Sequence, residues 1–108
     1  MAQNFTRHAA LATTSEATVF TSNSNDAVIG IRIANIITSA ITVSVWISVG
    51  GSATRYIVKD LSIPPASSVE LIQGGSKFVM QSSDVLKVQA SASNAADVYV
   101  SVVDAISA

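Results

Sequence analysis

The sequence predicts an all-β chain folded as a single antiparallel β-sandwich, jelly-roll-like, and three observations carry that expectation. Apolar residues recur with a period of two through several short segments. Turn-forming Gly, Pro, Asn, Asp and Ser separate those segments about every eight to twelve residues. Val, Ile, Ser and Thr dominate, whereas the helix formers Leu, Glu and Lys are scarce. The 108 residues suffice for one domain with one core.

The elements follow in order. Residues 1–15 show neither sustained alternation nor a helical face, so they are expected to form an irregular N-terminal arm. Phe5 and Leu11 would be its apolar anchors, and the sandwich domain would span residues 16–108. Thr18 to Thr21 reads as a short strand, closed by the polar run from Ser22 to Asp26. From Ala27 to Ile37, Ile29, Ile31 and Ile33 would share one face, opposite Val28, Gly30, Arg32 and Ala34. Ile41 to Val49 has the clearest alternation, with Trp46 on its polar face. An aromatic there is either covered by a loop or placed at a contact with another chain. After the Gly50-Gly51-Ser52 turn, Thr54 to Asp60 would carry Tyr56 and Val58 on one side. Leu61 to Ala66 holds Pro64-Pro65 and cannot continue a central strand. Ser68 to Gln73, Lys77 to Met80, Val85 to Ser91 and Asp97 to Ile106 complete the strands, with Gly74-Gly75-Ser76 as a turn.

The charge is unusually sparse. Charged residues make up 12% of the chain, against about 25% in ordinary soluble domains, and mean hydropathy is +0.48. Ser, Thr, Ala, Asn and Gln stand in their place. Small uncharged side chains are covered at little entropic or desolvation cost, and such a surface is poorly defended against association. A subunit covered by its neighbours is the reading this favours; a monomer with a solvated Ser/Thr face is the plain alternative. A net charge of −1 argues against a dedicated nucleic-acid binder. No window reaches the roughly 18 unbroken apolar residues of a membrane helix, and residues 1–10 lack a signal-peptide pattern.

Catalytic chemistry finds little support. With no cysteine, disulfides, thiolate metal sites and cysteine nucleophiles are excluded. His8 is the one histidine, it lies in the arm, and nothing places a serine and a carboxylate around it. Asp26, Asp60, Asp84, Asp97 and Asp104 fall mostly at strand ends, where aspartate bonds turn backbone; no calcium-loop spacing arranges them. Glu16, Glu70 and the aspartates offer carboxylate pairs of no specificity. The expectation is no enzyme, no cofactor, no metal and no small-molecule substrate.

One longer pattern runs from Ile31 to Ser107. Arg32, Ala34 and Asn35 form an R-x-A-N strand, followed by the alternating Thr42-Val43 strand. Tyr56, Asp60, Ile63 and Pro64 make a Y-x-x-x-D-x-x-I-P turn. Ser68, Glu70 and Leu71 follow as S-x-E-L, then Asp84, Leu86, Val88 and Ala90 as D-x-L-x-V-x-A, and last the strand Val98 to Val102. About three-quarters of the chain thus resembles small virion structural proteins of tailed bacteriophages, of the decoration, neck or tail accessory type. That resemblance implies a jelly-roll sandwich in the virion, assembled as a homo-oligomer and bound to the major capsid protein or to neck and tail proteins. Nucleic acid and membrane would not be partners. The leading expectation is a capsid decoration (cement) protein that clamps neighbouring capsid subunits. Its interface would use the arm, through Phe5, Arg7 and Leu11, and the surface around Trp46. A neck or tail subunit forming a ring or spike is one alternative. A small carbohydrate-binding module, which would gather exposed aromatics such as Trp46, Tyr56 and Tyr99 in one groove, is another.

Overall fold

The computed structural model describes residues 4–72 and 78–104, which form nine strands and no helix. They are β1 (Asn4–Ala12), β2 (Ala17–Thr21), β3 (Asp26–Asn35), β4 (Ile41–Val49), β5 (Ala53–Ile63), β6 (Ser68–Glu70), β7 (Phe78–Met80), β8 (Val85–Ala90) and β9 (Ala96–Asp104). One antiparallel sheet runs β1-β9-β3, with the short β6 and β7 sharing the far side of β3. The other runs β2-β8-β4-β5. The fold class is the sandwich that the sequence predicts.

The core lies between the sheets, where period-two alternation turns one row of each strand inward. Val28, Ile31 and Ile33 of β3 and Val98, Val100 and Val102 of β9 meet Val43 and Val45 of β4 and Leu86 and Val88 of β8. Ile63 and Met80 fill the ends. Burial of each such side chain contributes about 1.5–3 kcal/mol, and their branched shapes suit a pleated sheet.

The structure corrects the sequence reading at four places. The expected irregular arm is largely the strand β1, paired along its whole length with β9. Its alternation is disguised because the inward residues are Thr6, His8, Ala10 and Ala12, while Phe5 and Leu11 point out. The inward row still packs: the His8 ring lies flat on Phe20, with centroids 4.3 Å apart. In β3, a register shift between Val28 and Gly30 lets Val28 and Ile31 both face the core. Ile29 is the displaced residue, 37% exposed. In β5, a second shift sets Val58 opposite Val45 but Tyr56 opposite Trp46, which places them on opposite faces. Finally, β5 continues to Ile63, stopping only at Pro64, because it is an edge strand with no neighbour needing its donors. The expected Gly74-Gly75 turn, the strand start at Lys77 and the ends at Gln73 and Ile106 lie outside the described residues.

Polar side chains fasten the ends of this sandwich. Asn35 is 4% exposed, and its Nδ2 donates to the carbonyls of Ser39 (2.9 Å), Ile63 (3.1 Å) and Pro64 (3.1 Å). Its Oδ1 accepts from the Ile37 N–H at 3.0 Å. Glu70 Oε2 accepts from the Ile31 N–H at 2.7 Å, tying β6 to β3. Asp84 accepts from Gly50 N–H and Gln81 N–H at 2.9 and 3.0 Å, joining two turns. Truncating Asn35 strands the buried Ile63 carbonyl, at a cost of about 1–3 kcal/mol, and removes the partner of three part-buried groups that water can partly satisfy. Asn35→Ala is expected to lower the unfolding free energy by about 2–3 kcal/mol in chemical denaturation; an unchanged midpoint would refute the fastening role.

Candidate assembly surface

Residues directly opposite across paired strands place their side chains on the same face, so the registers map the outer face of the β1 sheet. One row reads Phe5–Val103–Ala27–Val79 across β1, β9, β3 and β7. Every member is apolar. Phe5 is 80% exposed, and Val79 is exposed as well. The next row is Arg7–Ser101–Gly30, followed by Ala9–Tyr99–Arg32–Glu70 and Leu11–Asp97–Ala34–Ser68. The face is therefore apolar at one end. Towards the other it is polar, where Arg32 Nε lies 4.0 Å from Glu70 Oε1 and Leu11 and Tyr99 are exposed.

Of the four interface residues expected from sequence, Phe5, Arg7 and Leu11 share this face. Trp46 does not join them. It sits on the outer face of the opposite sheet, outside the core cluster, and is only 6% exposed. The Tyr56 ring covers it at 5.7 Å between centroids, and Lys59 Nζ stands 5.2 Å from the Tyr56 centroid. On its other side its register partner is Lys87, which is held by Glu16 at 2.9 Å. Trp46 is thus covered within its own chain by strand β5 and offers no open apolar contact, and it lies apart from the face that holds Phe5, Arg7 and Leu11. Val79, Val103 and Ala27 belong to the surface and were not read from sequence. The alternation of Tyr99, Ser101 and Val103 against Val98, Val100 and Val102 was the available signal.

A cavity of about 250 Å³ lies beside the Trp46–Tyr56 pair, lined by Thr42, Ser44, Asp60, Gln89, Ala90 and Ser91. It results from the bulge at Asp60, whose left-handed φ of 54° turns its N–H onto Ser44 Oγ at 3.0 Å. Its polar groups are engaged internally. Gln89 Nε2 donates to the Thr14 carbonyl at 2.7 Å, and Ser91 Oγ accepts from the Thr42 N–H at 3.0 Å. Tyr99 stands on the other sheet, so the aromatics do not gather in one groove. A smaller cavity, about 120 Å³, opens between β1 and β2 beside His8, Asp26 and Asp104. There Asp26 is buried and accepts from Ser22 Oγ at 2.8 Å and Ser24 Oγ at 2.9 Å. Among the described residues, no three His, Asp or Glu side chains gather as a metal-binding set.

No family model matches the chain, and no curated protein matches it. Among solved structures, it is similar to a chain described under "Bacillus endospore appendages form a novel family of disulfide-linked pili". The TM-score is 0.58 at 14% identity, over 98% of this chain and 88% of that one. At that identity the likeness is one of fold.

The chain has one tryptophan, so its fluorescence reports the cover over Trp46. Tyr56→Ala is expected to shift the emission to longer wavelength while leaving any self-association unchanged. Lost association with an unshifted spectrum would instead assign this face to an interface.

Proposed function

We propose that this protein is a non-enzymatic structural subunit that docks non-covalently into a larger particle through the outer face of its β1-β9-β3 sheet. The observation that carries this reading is the apolar row Phe5–Val103–Ala27–Val79, open to solvent at its two ends Phe5 and Val79, on a chain with few charges. A contiguous apolar stripe rimmed by polar residues is the usual mark of a protein contact. The stripe needs no specific chemistry from its partner beyond shape and dryness, which suits a lattice of repeated contacts. Many weak contacts then hold by avidity.

The specific setting we propose is the virion of a tailed bacteriophage, with capsid decoration as the role and neck or tail as the neighbouring alternative. The motif resemblance supports it. The structural neighbour, described among disulfide-linked pili, lends support to an assembled setting. Disulfide linkage is not available to these 108 residues, which hold no cysteine, so assembly here rests on packing.

Mass spectrometry and immunogold labelling of tailed phage particles purified from the source culture test the setting. The expected result is the protein at high copy on the capsid shell. Label confined to the neck or tail would move it there, and its absence from particles would overturn the virion reading. The double variant Phe5→Ser, Val79→Lys tests the surface: melting should change by no more than a few degrees, while particle occupancy falls at least tenfold. Full occupancy would remove the apolar row from the interface.

A further inference from the structure

We propose that two copies of this chain pair through their β1 edges, antiparallel and about a two-fold axis at His8, to join two sandwiches into one continuous sheet. This deepens the assembly reading above, and rests on it, by naming a second copy as the first partner.

The backbone of β1 is oriented for it. The Ile36 N–H donates to the Ala95 carbonyl at 2.9 Å, so the Asn35–Ala96 pair exchanges no bonds with its own backbone groups. Ala96 therefore turns its N–H and C=O to β1, and Ala12, its register partner, turns to β9. Because β1 carries no register shift, the alternation holds along it. Thr6, His8 and Ala10 also bond to β9. The N–H and C=O groups of Phe5, Arg7, Ala9 and Leu11 face the open side of the sheet.

The remaining edges are blunted, and β1 is not. β5 carries Arg55, Lys59 and Asp60, two register shifts and a Pro64-Pro65 exit. β2 spans five residues and is bulged. β6 and β7 span three each. Charge, bulges, proline and shortness are the ordinary defences of a sheet edge. β1 has nine residues, no bulge and one full charge, Arg7.

The side chains choose the partner. A two-fold at His8 overlaps the whole strand and pairs Phe5 with Leu11 of the second copy, twice. These are the two large apolar side chains on the outer row of β1, both exposed in the single chain. Arg7 falls opposite Ala9, so no like charges meet directly. A register two residues shorter at either end breaks the Phe5–Leu11 match, and one of these also sets Arg7 against Arg7. The outward pairs are those whose backbone groups face the open side, so each exchanges both hydrogen bonds.

A strand-pair contact lies at the small end of specific interfaces, so the dimer should dissociate at concentrations on the order of 10 µM. Light scattering across that range is expected to show a monomer–dimer equilibrium in the wild type. Ala9→Pro removes an N–H that the monomer fold does not use. It should give a monomer throughout, with unchanged circular dichroism and melting within a few degrees. The register is read by oxidising a mixture of the Arg7→Cys and Ala9→Cys proteins. Cross-linked dimer should form in the mixture and not from either variant alone. A wild type monomeric to 200 µM, about twenty times the expected midpoint, overturns the pairing. So does an Ala9→Pro protein that still dimerises, or a mixture that fails to cross-link. If the wild type stays monomeric while Phe5→Ser, Val79→Lys still loses particle occupancy, the edge pairing fails and the docking surface stands.

Discussion

Asn35 is the constraint on which the two-sheet arrangement depends. It ends β3 in one sheet and donates to carbonyls at the end of β5 in the other, while its carbonyl oxygen holds the turn that carries the chain between them. A buried amide with both ends satisfied is costly to replace, because the buried Ile63 carbonyl and three part-buried groups lose their partner with it. Glu70 and Asp84 do similar work elsewhere: one ties β6 onto β3, the other binds the Gly50 turn to the turn after β7. With no disulfide to close its loops, the chain relies on such fasteners at the ends and on close-packed Val and Ile in the middle.

This bears on what the sequence motifs mean. Asn35 of the R-x-A-N strand meets Ile63 and Pro64 of the I-P turn, and Arg32 lies beside Glu70 of S-x-E-L. Asp84 caps the turn at the start of D-x-L-x-V-x-A. The polar members of the pattern are therefore parts of the scaffold. They explain why a resemblance spread over three-quarters of the chain speaks to architecture. The surface that would meet a partner lies on residues outside the pattern, Phe5 and Val79 among them.

The central strands were legible because their alternation is strong and they pair with each other without a shift: β4 buries Ile41, Val43 and Val45, and β8 buries Leu86, Val88 and Ala90. Bulges were not legible, since a register shift belongs to a pair of strands and one strand's letters carry no trace of it. That is why Ile29 was placed with Ile31 and Ile33, and Tyr56 with Val58. β1 escaped for a different reason. Its inward row is Thr, His and Ala, and its large apolar residues point outward, so the hydrophobic signal that usually marks a strand is inverted. Trp46 was ambiguous from sequence, and the register shift in β5 resolves it by bringing Tyr56 across from it.

The inversion in β1 and the scarcity of charge have one physical consequence in common. The few charged side chains are committed where the fold uses or defends itself: Arg32 beside Glu70, Lys87 with Glu16, and Arg55, Lys59 and Asp60 along the β5 edge. On β1 itself the one full charge is Arg7. An edge with free backbone groups, a row of exposed apolar side chains and almost no charge is a liability for a solitary protein. It is stable in solution only if something covers it, or if association through it is tolerated. The defended β5 edge shows that this chain has the means to blunt a strand, which is why we place the proposed contact at the bare β1 edge.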